Sequence, residues 1–175
     1  RVVVTGIGTI NSTGHNVKDS FEAVVNGVCG IDTITLFDAS DFSVKIAGEV
    51  KDFDPTTVMD KKEVKKADRF IQLGIKAAHE AMIDSGYVTA DNKKVDGSIA
   101  DRFGIISGSG IGGLSTIERN SVVCETKGSR KVSPFFIPSS LANMLSGFIS
   151  IEHNLRGPSL AHVTACAAST HALND

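Results

Sequence analysis

Cysteine is scarce in this 175-residue sequence. Cys29, Cys124 and Cys166 lie far apart with no CxxC pair, which excludes a disulfide framework. No apolar run approaches the ~18 residues that a membrane span needs. No basic start followed by an apolar stretch marks a secretory leader either. An excess of one charge is also missing: 18 Lys and Arg stand against 20 Asp and Glu, a net charge of −2, which argues against general nucleic-acid binding. There is no repeat at a solenoid period and no low-complexity tract. None of the five histidines (His15, His79, His153, His162, His171) stands at metal-ligand spacing with another, so no metal is expected. What remains, 41% hydrophobic and 22% charged, is the composition of a globular domain with a real core, expected in the cytoplasm with reduced thiols.

The ends are informative. Arg1 opens the sequence without an initiator methionine, and Leu173-Asn174-Asp175 closes it inside a helical pattern with no Gly or Pro stop. The sequence therefore reads as a piece of a longer protein.

Between the ends, strand and helix patterns alternate, which predicts an α/β class with short, buried strands. Val2-Val3-Val4-Thr5 reads as a buried strand. Asn16 caps a helix from Val17 to about Asn26, with Val17, Phe21, Val24 and Val25 as its apolar positions. Residues 29–43 are irregular, and Val44 to Ala47 alternates like a strand. One helix is predicted over Lys61–Asp84, its face formed by Phe70, Ile71, Ile75, Ala78, Ala81 and Met82. Phe103 to Ser107 is a second clear strand and precedes a helix from Leu114. A further helix runs through Leu141, Met144 and Leu145. Ser159 to Ala165 is a third strand, followed by small residues after Cys166.

Four features bear chemistry. Gly108-Ser109-Gly110-Ile111-Gly112-Gly113 satisfies GxGxxG between a strand and a helix, but no acid stands about 20 residues on to hold a ribose. Tight backbone packing beneath a pocket is the better account of these glycines. Thr5-Gly6-Ile7-Gly8-Thr9-Ile10-Asn11 invites a dehydrogenase reading, yet Asn11 occupies the third glycine position. The only tyrosine, Tyr87, is followed four residues on by Asp91 rather than lysine, so hydride transfer is disfavoured. Thr164-Ala165-Cys166-Ala167-Ala168-Ser169 places a cysteine where a strand gives way to a helix. Free N–H groups of a new helix stabilise a thiolate and can cradle an oxyanion. On spacing alone, a small buried cysteine is the competing account. Finally, Lys61, Lys62, Lys65, Lys66 and Arg69 crowd one helix start and Arg130-Lys131 lie in a loop. Such runs are commonly solvated faces, or else a docking patch for an acidic partner.

Val2 to Gly8, Gly108 to Leu114, Lys131-Val132-Ser133-Pro134-Phe135-Phe136-Ile137-Pro138, Leu155-Arg156-Gly157-Pro158-Ser159 and Thr164-Ala165-Cys166 together resemble the elongating β-ketoacyl-acyl-carrier-protein synthases of type II fatty-acid synthesis, most closely the synthase II type. The resemblance covers essentially the whole chain. It implies a thiolase-like, layered α-β-α-β-α fold of two related halves, with residues 1–175 as the N-terminal half. It implies that Cys166 accepts an acyl group from the acyl-carrier protein, that its backbone N–H gives one oxyanion donor, and that decarboxylative condensation with malonyl-carrier protein follows. Ile111 and Ala165 would shape the acyl pocket, and Phe136 would lie on a loop reaching the partner subunit's pocket. Lys62, Lys65 and Lys66, with Arg130 and Lys131 of the other subunit, would meet the acidic carrier protein. A homodimer without cofactor is expected. The family's catalytic histidines, helper lysine and second oxyanion donor lie in the other half, so these 175 residues alone are expected not to condense. A non-catalytic carrier-binding or dimerising role is the second reading, and an NAD(P)-dependent reductase the remote third.

Overall fold

The computed structural model describes all 175 residues, which divide into two compact units, residues 1–54 with 76–86 and residues 55–75 with 87–175. In the first unit, helix α1 (Val17–Val25) starts at Asn16, whose Oδ1 accepts the Asp19 N–H at 2.8 Å. That bond satisfies one of the orphan amides of a helix N-terminus. The apolar face of α1 stays outside: Phe21 is 68% exposed and Val24 67%, while Ser20 is buried. Strands β1 (Asp32–Thr33) and β2 (Ile46–Ala47) form a two-residue antiparallel ladder, with Asp32 opposite Ala47 and Thr33 opposite Ile46. The β1 strand falls inside the region read as irregular, and β2 is shorter than the alternation at residues 44–47 predicts.

The strand expected at Val2–Thr5 does not form. Val2 is 99% exposed, and the segment joins no ladder. What holds the next residues is helix α3 (Arg69–Asp84), whose second half belongs to this unit. Asp84 Oδ2 accepts the Ile7 N–H at 2.9 Å, and Glu80 Oε2 accepts that of Thr9 at 3.0 Å. Helix carboxylates thus take the amides that a neighbouring strand would otherwise engage. The approach requires Gly8, because a Cβ there would sit 2.0 Å from the Ala77 carbonyl oxygen.

The second unit holds the core. Every buried apolar residue except Ala39 lies in it, with Ile71 and Ile75 at its centre alongside Val58, Met59, Val95 and Ile149. The helix predicted over Lys61–Asp84 is broken into α2 (Lys61–Val64) and α3. Asp68, the residue before α3, accounts for the break. Its carboxylate accepts the Phe70 N–H at 3.4 Å and the Thr116 N–H at 2.9 Å, an arrangement of an N-cap rather than of a helix interior. Strand β3 (Ile105–Gly108) pairs in parallel with β4 (Ser159–His162), Ile105 opposite Ser159 and Gly108 opposite His162. Between them run α4 (Leu114–Lys127), α5 (Phe136–Ser140) and α6 (Met144–His153), and α7 (Ala168–Asn174) follows β4.

Buried polar groups tie these elements together. Ser146 on α6 donates its hydroxyl to the Leu160 carbonyl of β4 at 2.7 Å and lies 2.6 Å from the Ser107 hydroxyl of β3. His153, fully buried at the end of α6, has Nδ1 2.7 Å from the Lys93 carbonyl oxygen, so Nδ1 carries the hydrogen and donates it. Burial holds this imidazole below the usual histidine range, against the opposing pull of that hydrogen bond.

Candidate active site

β4 ends at His162, and the chain turns through Val163 and Thr164 into a tight 3₁₀ turn at Ala165–Ala167 before α7 begins. Cys166 sits in the middle of that turn and is exposed. The residue before it pays in backbone strain: Ala165 has φ +50°, the left-handed region where an L-residue is disfavoured by roughly 1–2 kcal/mol. The Ala167 N–H donates to the Thr164 carbonyl at 3.1 Å and closes the turn. The expected strand-to-cysteine-to-helix order is therefore present, with the strand ending at His162, three residues short of the expected Ala165.

The glycine loop 108–113 lies against this turn. A Cβ on Gly108 would come within 2.5 Å of the Ala168 backbone, so β3 and the start of α7 approach as only glycine allows. Further along, a Cβ on Gly110 would rest 3.8 Å from Ala165. At its far end the loop meets α5, where the Gly113 N–H donates to the Ser140 carbonyl at 2.9 Å. The glycines thus serve backbone packing, as the missing ribose acid suggests, and set the cysteine turn and α5 on two sides of one loop. Ile111 stands exposed on that loop, and Phe136 is half-buried at the first residue of α5.

Thr164 and His171 form a contact the sequence reading missed. The threonine Oγ1 lies 2.8 Å from His171 Nδ1, pinning the turn to α7. His162 Nε2 lies 2.7 Å from an Asp175 carboxylate oxygen, and its ring meets that of His171 edge-on, with the centroids 6.0 Å apart. Thr164 lies ahead of the 3₁₀ turn and only His171 is on α7, so the pair shares no one helix face that a periodic pattern could mark.

The basic residues gather around a separate polar cleft of about 470 Å³ between the α2–α3 junction, α4 and the loop before α5. One chain brings Lys65 and Lys131 to the same cleft, without a second subunit, and adds Arg69 and Arg119. Lys62 and Arg130 are exposed nearby in sequence. Lys66 is the least available of the candidates: its ammonium pairs with Glu63 at 2.5 Å and sits 5.7 Å from the Phe135 ring. Arg119 escaped the sequence reading because a lone cation on a helix carries no pattern. No group of three or more potential metal ligands occurs, and no helix is long and apolar enough to cross a membrane.

Known proteins resemble this chain in sequence and in fold. The family model described as "Beta-ketoacyl synthase, N-terminal domain" matches residues 1–175. Among curated relatives, 3-oxoacyl-[acyl-carrier-protein] synthase 2 of Vibrio harveyi is 48% identical over 172 residues, covering 98% of this chain and 40% of the relative. The protein of the same name from Coxiella burnetii is 44% identical over 171 residues, again 98% of this chain and 40% of the relative. The chain thus spans well under half the length of these relatives. Among solved structures, a type II polyketide ketosynthase in complex with its acyl-carrier protein superposes with a TM-score of 0.77 at 25% identity, over 99% of this chain and 44% of that one. A β-ketoacyl synthase from Burkholderia phymatum has the same fold, with a TM-score of 0.81 at 20% identity over 99% of this chain and 42% of that one. The expected α/β ketosynthase fold is therefore borne out, although within these residues its sheets reach only two strands each. With its cysteine turn, its glycine loop and a family match that runs from the first residue to the last, the chain belongs to the β-ketoacyl synthases, as their N-terminal domain.

Proposed function

We propose that this chain supplies the nucleophile of a 3-oxoacyl-acyl-carrier-protein synthase of fatty-acid elongation, with Cys166 as the residue that becomes acylated. The observation that carries the reading is the exposed thiol on a strained turn between β4 and α7, flanked by the glycine loop, in a chain of this family. The Cys166 thiolate attacks the carbonyl carbon of an acyl thioester held by the carrier protein. A new C–S bond forms to Cys166, the bond to the carrier's sulfur breaks, and that sulfur leaves as a thiolate that takes up the proton Cys166 gave up on ionising. The Cys166 backbone N–H is one donor to the oxyanion formed on the way. Ile111 and Ala165 border the acyl chain near the sulfur, and Phe136, at the first residue of α5 rather than on a loop, reaches the partner subunit's pocket.

Condensation with malonyl-carrier protein then requires the family's histidines, which none of the five histidines here replaces, so this chain alone does not elongate. Lys62, Lys65, Arg130 and Lys131 receive the acidic carrier protein, with Lys66 contributing once its bond to Glu63 is exchanged. The full-length protein works as a cytoplasmic homodimer.

The test is intact-mass detection of an acyl adduct after incubating the full-length protein with acyl-carrier protein. An adduct on the wild type that is absent from Cys166→Ala supports the assignment. A folded full-length protein that gains no Cys166-dependent mass overturns it. Charge reversal of Lys62 and Lys65 tests docking separately: carrier affinity at low salt that survives Lys62→Glu with Lys65→Glu refutes their role.

A further inference from the structure

The turn that carries Cys166 is closed by more than its own backbone. His162 and Thr164, two residues apart on the chain leaving β4, each reach a residue at the far side of the turn. His162 Nε2 lies 2.7 Å from an Asp175 carboxylate oxygen, which can only accept, so Nε2 carries the hydrogen and donates it. Thr164 Oγ1 lies 2.8 Å from His171 Nδ1. His171 on α7 and Asp175 at its C-cap stand four residues apart and so share one helix face. The rings of His162 and His171 meet edge-on, with centroids 6.0 Å apart. Two side-chain rungs thus join the end of β4 to α7, and Ala165, Cys166 and Ala167 form the loop that the Thr164–His171 rung closes.

The loop needs such a tie. Ala165 holds φ +50°, a conformation that an L-residue keeps only where its surroundings over-determine it. The Ala167 N–H donates to the Thr164 carbonyl at 3.1 Å, which acts inside the turn. The Ala168–Ser169 backbone packs where a Cβ on Gly108 would come within 2.5 Å, which acts on the helix. The Thr164 side chain is what ties the entry of the turn to the helix that follows it. Its hydroxyl suits either tautomer of His171, donating to a bare Nδ1 or accepting from an Nδ1–H. A valine of the same shape does neither. Because the peptide unit is planar, the backbone angles of Ala165 aim the Cys166 N–H.

We propose that Thr164 and His171 are positioning residues for acyl transfer: their side-chain bond holds Ala165 in its left-handed conformation and thereby aims the Cys166 N–H at the oxyanion of the attacked thioester. This rests on Cys166 being the acylated residue. Neither side chain makes a bond to substrate or moves a proton, so both act through the turn.

The test compares two rates at Cys166 in the full-length protein: acylation by acyl-carrier protein, followed by rapid quench and intact mass, and alkylation by iodoacetamide. Alkylation displaces iodide at a saturated carbon and forms no oxyanion, so it reports the thiol alone. Thr164→Val keeps the side-chain shape and His171→Phe keeps the ring. Each should slow acylation at saturating carrier by about tenfold, part of the ~10²–10³ that a lost oxyanion donor costs. Alkylation and the carrier concentration at half-maximal rate should not change. The double variant should be no slower than either single one, since the same bond is lost in all three. Thr164→Ser should restore the rate. Both side chains are exposed, and a thermal midpoint equal to the wild type's shows that each variant is folded. Wild-type acylation in Thr164→Val, equal slowing of acylation and alkylation, multiplied losses in the double variant, or no rescue by Thr164→Ser overturns the proposal and leaves Cys166 as the nucleophile. A wild-type protein that gains no adduct overturns the nucleophile assignment and this proposal with it.

Discussion

Replacing Asp68 tests the physical account of the α2–α3 break most directly. Its buried carboxylate accepts the Thr116 N–H at 2.9 Å and the Thr116 hydroxyl at 2.5 Å on one oxygen, and the Phe70 N–H on the other. Hydrogen bonds to a charged group are worth roughly 1.5–3 kcal/mol each, and loss of an N-cap costs about 1 kcal/mol. These contributions overlap, because all of them act through one side chain. Asp68→Ala is therefore expected to destabilise the protein by about 3 kcal/mol, leaving the Thr116 amide buried and unpaired. Asp68→Asn keeps an acceptor but offers an NH₂ on the other side, and should cost about half as much. The assay is urea unfolding of the full-length protein, paired with hydrogen exchange at the amides of Phe70 and Thr116. Thr116→Val completes a double-mutant cycle, in which the double variant should cost clearly less than the two single changes together. A loss below about 0.5 kcal/mol for Asp68→Ala, within the ordinary range of surface substitutions, would refute the reasoning, as would strict additivity in the cycle.

Three other outcomes are expected. Ser146→Ala leaves both the Leu160 carbonyl and the Ser107 hydroxyl short of a partner, and should cost about 1–3 kcal/mol in thermal or chemical unfolding. Ala165→Gly should leave stability unchanged or raise it by up to about 1 kcal/mol, since φ +50° suits glycine, whereas Ala165→Val should lower it; an equal loss for both would show that the turn is not strained. Acid should act in two windows. Burial depresses the affinity of His153 for a proton, so the unfolded chain protonates first and stability falls as pH drops below about 6.5; His153→Gln should flatten that slope. The Thr35 hydroxyl, with the Thr35 and Leu36 amides, holds the Glu49 carboxyl below its usual value, so its contribution is present above about pH 4.5 and is lost as pH falls through the lower, folded value; Glu49→Gln should flatten only that limb of a urea-midpoint profile.

The elements that could be read from the sequence are those whose boundaries are set locally. Asn16 caps α1 through a residue three positions on, and β3, α4 and the approach to Cys166 follow from short patterns and glycine punctuation. The misreadings share a cause in distant partners. The α2–α3 break depends on Thr116, and the fate of residues 2–9 depends on carboxylates of α3. The helix expected through Leu141 splits into α5 and α6 because Leu141 takes an extended backbone, ψ 130°, that periodicity does not reveal. The exposure of Phe21 and Val24 is likewise invisible to a pattern, which marks an apolar face without saying whether this chain covers it. At the site, the cysteine turn and the glycine loop were legible as motifs. Their adjacency, the Thr164–His171 contact and the place of Arg119 are products of packing.

The parallel pairing of β3 with β4 also orders the events of folding. Ile105 meets Ser159 only across the whole of α4, α5 and α6, so the ladder is a long-range contact whose closure entropy must be met before it gains anything. The intervening helices can nucleate locally and shorten that search. The cysteine turn hangs from the end of β4 and leads into α7, whose first residues pack on Gly108 at the end of β3, so it takes shape only once the two strands have met. During synthesis, the turn that carries Cys166 is therefore among the last features of this chain to be assembled.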